Sequence, residues 1–285
     1  MRKWSKTTDS LCDIRDFATC FRRMRKYSEG QGEKMKLSEF AERYIFVRKC
    51  AGCGALIGYE EREDAFCPSC RIGWERAKAD GCLFCGRSMI ECDCMPKKLS
   101  AAGLPFLKKL VAYRPPDAKK AENKAIYFLK RNKNKRVARF MALQLTEKLA
   151  EILDEVEIDK KNAVIAYLPR SRKARAEYGF DQSELVCREL SLMADVELLP
   201  LLVRKKGRSA EQKKLDSKQR GANASAMFEI DTEALELLGE RAVILFDDVV
   251  TSGASMAGAV KLLRRKKVKD IYGLCIAYTE SEGKR

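Results

Sequence analysis

Val243-Ile244-Leu245-Phe246-Asp247-Asp248-Val249-Val250-Thr251-Ser252-Gly253-Ala254-Ser255 is the stretch whose reading decides the fold. Four consecutive apolar residues, Val243 to Phe246, predict a strand buried on both faces of a parallel sheet. Asp247 and Asp248 then stand at the strand's carboxyl end, where open α/β sheets bind ligands. Thr251 to Ser255 brings small side chains, three hydroxyls and a run of backbone N–H groups to a helix start. That arrangement suits a phosphate monoester.

Working outward, Asn162 to Leu168 reads as a second buried strand, stopped by Pro169. Asp181 with Glu184 forms a capping box for a helix through about Met193. Ala226 to Ile230 predicts a short strand, Arg241 to Phe246 the motif strand, Ala254 to Arg265 its helix, and Ile271 to Tyr278 a last strand. Upstream, from Ala118 on, Ala121, Ala125, Phe128 and Leu129 share one helical face. Val137, Met141, Leu145, Leu149 and Ile152 share another, with Lys133-Asn134-Lys135 as the break. Strands alternating with helices predict an α/β fold with a parallel sheet.

The cysteines mark a different region. Ten of the twelve fall in the first 94 residues, and eight of these between Cys50 and Cys94. Cys50-Ala-Gly-Cys53 and Cys67-Pro-Ser-Cys70 have the spacing of a zinc ribbon. A Cys-x-x-Cys turn lets two sulfurs reach one ion, Gly54 and Gly86 let such turns close, and two turns complete a tetrahedral site. Cys82-Leu-Phe-Cys85 with Cys92-Asp-Cys94 is a second set. Cys92-x-Cys94 is tighter than a standard knuckle, which leaves one or two ions and one or two ligands from this pair open. Structural zinc is the reading taken. An iron–sulfur cluster lacks a recognisable pattern, and a redox pair is disfavoured because the motifs do not open a helix in a βαβ unit. The chain has no histidine, so any metal site uses cysteine or carboxylate and no imidazole serves as acid or base. Cys187 and Cys275, in apolar surroundings, read as core residues.

With 285 residues the chain has room for two cores. The expected division is an N-terminal extension over 1–36, a zinc-ribbon domain over 37–99, a hinge around Met95 to Pro105, and the α/β domain over 106–285. In the extension, Leu11, Ile14, Phe17, Phe21 and Met24 recur at helical spacing, and Met24 and Met35 are alternative starts. No apolar run approaches the ~20 residues of a membrane span, and no signal-peptide core follows Met1, so a cytoplasmic location is expected. The net charge is +16, and residues 101–148 carry thirteen Lys or Arg against three acids, a local excess of +10. Such an excess suits a polyanion, or equally a solvated basic helix face.

The Asp247–Ser255 motif resembles the phosphoribosyl pyrophosphate (PRPP) motif of type I phosphoribosyltransferases. Further pieces extend the likeness: Tyr167-Leu-Pro-Arg-Ser-Arg-Lys173, Tyr178-Gly-Phe-Asp-Gln-Ser-Glu-Leu185, Arg208-Ser-Ala-Glu-Gln212, Leu215, Arg220, Asn223 and Ala226-Met-Phe228. Together with the cysteine pattern, residues 37–280 resemble the ComF family of competence proteins. Tyr178 and Asp181 stand where that family has Arg and Asn, and Ser252 and Ser255 where it has threonines.

The resemblance implies a type I phosphoribosyltransferase sheet behind an N-terminal zinc ribbon. It implies that Asp247 and Asp248 hold ribose hydroxyls and, indirectly, Mg²⁺, as the catalytic pair of an active enzyme. Thr251, Ser252, Gly253, Ala254 and Ser255 would take the 5-phosphate of PRPP or a ribose-5-phosphate-type ligand. Arg170, Ser171, Arg172 and Lys173 would form a pyrophosphate loop, and Arg208, Gln212, Arg220 and Asn223 a lid or helix caps. The implied role is DNA uptake in transformation, with single-stranded DNA and the uptake machinery as partners. Tyr113, Tyr127 and Phe128 are candidates to stack on bases or to fill the core. A phosphoribosyltransferase acting on an unknown nucleophile and a PRPP sensor without turnover are the alternatives.

Overall fold

The computed structural model describes residues 37–114, 120–205 and 227–279. The amphipathic N-terminal segment with Cys12 and Cys20, and Arg208, Gln212, Arg220 and Asn223, lie outside the described residues. Residues 37–48 and 58–62 form a small unit of their own. It holds helix α1 (Leu37–Tyr44) and the Tyr59 ring, over which the Arg62 guanidinium lies at 4.1 Å.

The remaining residues form the second unit. The cysteine-rich stretch contributes α2 (Pro68–Ala79) and α3 (Lys97–Ser100), followed by short strands β1 (Leu107–Lys108) and β2 (Val111–Ala112). Helices α4 (Ala121–Arg131) and α5 (Lys135–Glu155) come next. They divide at the expected break, where the Asn134 side chain accepts the Val137 N–H at 3.1 Å and caps α5. Then follow β3 (Ala163–Tyr167), α6 (Arg172–Tyr178), α7 (Gln182–Ala194), β4 (Glu197–Leu198) and β5 (Leu202–Arg204). After the undescribed segment come β6 (Phe228–Ile230), α8 (Thr232–Leu238), β7 (Ala242–Val250), α9 (Ala254–Arg265) and β8 (Ile271–Tyr278).

The central sheet runs β1-β8-β7-β3-β4, with β2 also on β8, and every pairing in it is parallel. Strands β5 and β6 form a separate antiparallel pair. This mixed α/β fold with a parallel centre and a cysteine-rich region before it is the expected one, and it is consistent with a type I phosphoribosyltransferase-like fold.

Both faces of the sheet are covered, which is why its strands read as unbroken apolar runs. Ile165, Ile244 and Phe246 point into one core, with Met141, Leu145 and Leu149 of α5 and Val186, Cys187 and Leu190 of α7. Val164, Val243 and Leu245 point into the opposite core, with Met256, Ala257 and Val260 of α9. Cys187 and Cys275 are fully buried, as expected. The cysteine-rich stretch shares these cores. Cys50, Phe66 and Trp74 belong to the first, where Phe66, Trp74 and Phe140 of α5 meet ring to ring at 5.0–5.7 Å between centroids. Cys82, Met89, Cys92 and Leu99 belong to the second. The stretch expected as a hinge is therefore packed: Leu99 is buried against the start of α9 and Leu104 against Gly273 of β8.

Candidate functional site

Strand β7 extends past the acid pair to Val250 instead of ending before it. Its pairing with β3 stops at Tyr167↔Phe246, whereas its pairing with β8 continues through Asp247↔Cys275 and Val249↔Ala277. Asp247 and Asp248 thus stand where one neighbouring strand has ended and the other has not. The Asp247 carboxylate accepts the N–H of Asp248 at 3.0 Å, and that of Asp248 accepts the N–H of Val249 at 2.7 Å. Burial, and then the charge of Asp248, holds the Asp247 carboxyl well above the usual carboxylate range, against the opposing pull of Lys130.

Thr251 is exposed, Ser252 and Ser255 are half-buried, and the chain turns into α9 at Gly253 with φ of 70°. Only glycine enters this left-handed region without strain. The backbone there also comes close to α3 and the residue before it: a Cβ would lie 3.0 Å from Leu99 Cγ and 3.1 Å from Pro96 Cβ and Cγ. The N-terminal turn of α9 and the paired acids thus offer anion-binding N–H groups beside hydroxyl- and cation-binding carboxylates.

The loop Pro169 to Lys173 leaves β3 on the same edge, and the Leu168 N–H is held by the Phe246 carbonyl at 2.9 Å. Its backbone is fixed by Asp181, whose carboxylate accepts the Arg170 N–H at 2.6 Å and caps α7 through the N–H groups of Ser183 and Glu184. Burial raises the Asp181 carboxyl despite these three donors. The Arg170 guanidinium lies 4.4 Å from the Tyr178 ring centre, and its Nη1 is buried without a partner among the described residues. The Ser171 hydroxyl caps α6 by accepting the Ala174 N–H, while Arg172 and Lys173 are exposed on the first turn.

Three residues given no role from sequence bear on the acids, two by contact and Arg204 through its charge. Gln182 Nε2 donates to Asp248 Oδ2 at 2.8 Å, and Lys130 Nζ stands 3.5 Å from the same oxygen. Arg204 of β5 is pulled down by burial and supported by the charges of Asp247 and Asp181. The signal for Gln182 was its place directly after the capping Asp181. Lys130 and Arg204 carried none, since only the fold brings α4 and β5 to β7.

The cysteines form two groups: Cys50, Cys53, Cys67 and Cys70, and Cys82, Cys85, Cys92 and Cys94, each with all sulfurs within 4.8 Å of one another. The Cys53–Cys67 and Cys85–Cys92 sulfurs are 3.7 and 3.6 Å apart. Zn–S bonds of about 2.3 Å give a tetrahedron edge of about 3.8 Å, so the donor sets fit zinc in both places. Both Cys92 and Cys94 enter the second group, including the ligand that sequence spacing left open. The first group is not built from two β-turns as a ribbon would be. Cys50 and Cys53 lie on a knuckle, but Cys67 is the N-cap of α2 and Cys70 sits in its first turn, because Pro68 starts a helix there. Burial pushes the Cys50 thiol up, but backbone N–H groups of Cys67, Cys53 and Gly52 outweigh it and hold it at about 7. Such a thiol is readily ionised for metal ligation.

Much of the basic stretch is engaged inside the protein. Lys108 bridges Asp93 and Glu155, Arg114 pairs with Asp80, Arg136 donates to the Lys49 carbonyl, and Lys148 binds Glu151. Lys109 is buried and donates to the Cys92 and Cys94 carbonyls. What faces solvent includes Lys124, Tyr127 and Arg131 on one side of α4, with the Arg131 guanidinium 4.2 Å from the centre of the Tyr127 ring. Tyr113 and Phe128 are half-buried against the core. No helix among the described residues is long and apolar enough to cross a membrane.

No family model matches the chain. Over 93 residues it is 31% identical to Competence protein F of Haemophilus influenzae (strain ATCC 51907 / DSM 11121 / KW20 / Rd). The match takes in 33% of this chain and 40% of the length of that protein, and it supports a distant relation between the two.

Proposed function

We propose that the Asp247–Ser255 site holds PRPP or a ribose-5-phosphate-type ligand, and that the chain acts as a ComF-like protein that binds single-stranded DNA during DNA uptake. The observation that carries the ligand reading is the placement of two carboxylates on β7 directly before a Gly253-capped helix start. Asp247 and Asp248 accept the two ribose hydroxyls, and the N–H groups and hydroxyls of Thr251 to Ser255 surround the 5-phosphate. Arg170, Arg172 and Lys173 supply positive charge for a pyrophosphate on the neighbouring loop. Mg²⁺, when bound, would neutralise that pyrophosphate, with Asp247 and Asp248 as its oxygen partners through water. Gln182 and Lys130 hold Asp248 in place for this. The zinc ions serve as scaffold.

The DNA reading rests on the distant relation to a competence protein and on the exposed face of α4, where Tyr127 offers a stacking surface between two cations. Partners in the uptake machinery follow from the same relation, and a cytoplasmic site of action goes with it. Calorimetric titration of ribose 5-phosphate and PRPP, with and without Mg²⁺, tests the ligand. Binding should vanish in the double variant Asp247→Asn/Asp248→Asn, and undiminished binding there refutes the site. Pyrophosphate release from PRPP across a panel of bases separates an enzyme from a sensor. Single-stranded DNA should bind with a steep salt dependence that Arg131→Ala reduces; binding indifferent to salt overturns the DNA role.

A further inference from the structure

The two cysteine groups lie against opposite faces of the sheet, and the segment that follows the second meets the phosphate loop. Cys82 and Cys92 share a core with Met256, Ala257 and Val260 of α9, whereas Cys50 shares the other core with α5 and α7. Directly after Cys94 the chain runs through Met95 and Pro96 into α3. There Pro96 and the fully buried Leu99 close on Gly253, so that an added Cβ would lie only 3.0–3.1 Å from them. Further along, the Gly103 carbonyl accepts from Arg264 of α9 at 2.9 Å, so the segment is fastened to both ends of that helix.

The cysteine end of the segment is held from beneath by Lys109. This side chain is 1% exposed, and its ammonium donates to the Cys94 carbonyl at 2.8 Å and also to the carbonyls of Cys92 and Leu107. Lys109 follows β1, whose Lys108 pairs with Leu274 of β8. The Cys92–Cys94 backbone is thus tied to the sheet on one side, while its sulfurs face the metal position on the other. A Zn(Cys)₄ site carries two net negative charges, which a buried ammonium next to it partly offsets.

We infer that the second cysteine group, acting through Pro96, Leu99 and Lys109, positions the phosphate loop, so that a metal ion there sets the order of Thr251 to Ala257. Pro96, Leu99 and Lys109 are positioning residues: they touch the loop or the cysteine backbone, not a ligand. The inference deepens the ribose-phosphate reading, and loop order can be measured with no ligand present. Loss of the metal frees Cys92 and Cys94, and with them the lever that presses Pro96 and Leu99 onto Gly253.

The test compares full-length, zinc-loaded protein with Cys85→Ser, Leu99→Ala, Leu99→Met and Leu149→Ala. Hydrogen exchange over residues 251–257 and calorimetric titration of ribose 5-phosphate are measured for each, alongside zinc content. Cys85→Ser and Leu99→Ala should lose exchange protection in the loop and bind about 10–100-fold more weakly, the usual cost of removing an outer support. Leu99→Ala should do so with its zinc retained, and Leu99→Met should restore both readouts. Leu149→Ala, an equal truncation in the opposite core, should leave loop protection unchanged. The inference is overturned by loop protection that survives both Cys85→Ser and Leu99→Ala, or that falls equally in Leu149→Ala. Should Cys85→Ser fail to fold, Leu99→Ala with all four ligands intact decides. Absence of ribose 5-phosphate binding in the unaltered protein would remove the ligand reading and still leave the exchange data to judge the coupling.

Discussion

Adding one methyl group at Gly253 tests how the loop is held where it meets Pro96 and Leu99. Two costs arise. A side chain in the left-handed region at φ of 70° loses about 1–2 kcal/mol. The new carbon would also lie 3.0–3.1 Å from Leu99 Cγ and Pro96 Cβ and Cγ, where carbon pairs normally sit at about 3.5–4.0 Å. Neither neighbour can swing aside, because Leu99 is fully buried and the Pro96 ring is locked to its own backbone. Overpacking of this kind costs about 1–3 kcal/mol, so Gly253→Ala should destabilise by about 2–5 kcal/mol in total. Denaturant unfolding of zinc-loaded protein measures this, and a cycle with Leu99→Ala separates the two costs. In the double variant the space vacated by Leu99 accommodates the new methyl, so the combined loss should fall short of the sum by about 1–3 kcal/mol. A strictly additive cycle, or a Gly253→Ala protein within about 0.5 kcal/mol of the original, would refute the packing described for this loop.

Three further outcomes are expected. Asp247 has its carboxyl pKa raised in the fold, so the proton it holds contributes stability below the ordinary carboxylate value that is lost as pH rises through the folded value. Asp247→Asn should therefore show a higher urea midpoint than the original protein near about pH 7, with the two converging near about pH 4, while ligand binding is lost; a lower midpoint at neutral pH would contradict this. Gln182→Leu strips the buried Asp248 carboxylate of a donor at 2.8 Å and should cost about 1–3 kcal/mol in denaturant unfolding, along with weaker ribose 5-phosphate binding. Metal analysis should return two zinc ions per chain, and a strong chelator should lower the unfolding temperature; one ion per chain would remove the second site.

What was legible in the sequence is what short-range chemistry determines. The run Val243 to Phe246 is the buried strand its apolar residues predict, and α9 falls on Ala254–Arg265 as expected. Asp181 caps α7 because an acceptor before a helix start finds free N–H groups two and three residues on. Cysteine spacing marked both groups, since a Cys-x-x-Cys turn brings its sulfurs together locally. Where local rules failed, a neighbour from elsewhere had intervened. Strand β7 outran its expected end because β8 continues beside it, and the supposed hinge is packed because the start of α9 and Gly273 of β8 lie against it. The basic stretch suited a polyanion or a solvated helix face equally on charge alone, and the fold instead buries Lys109 and Arg136 and pairs Lys108, Arg114 and Lys148.

The sequence by itself thus determined the parallel α/β architecture, the acid pair, the loop after it and the eight candidate zinc ligands, each within a span of a few to some twenty residues. Only the tertiary structure decided that Lys130 and Gln182 meet at Asp248, and that the two cysteine groups lie against opposite faces of the sheet, with Pro96 and Leu99 after the second packed against Gly253. The physical reason is separation along the chain. Residue spacing encodes turns, caps and periodic faces, whereas contacts between distant segments arise only when both faces of a sheet must be covered at once.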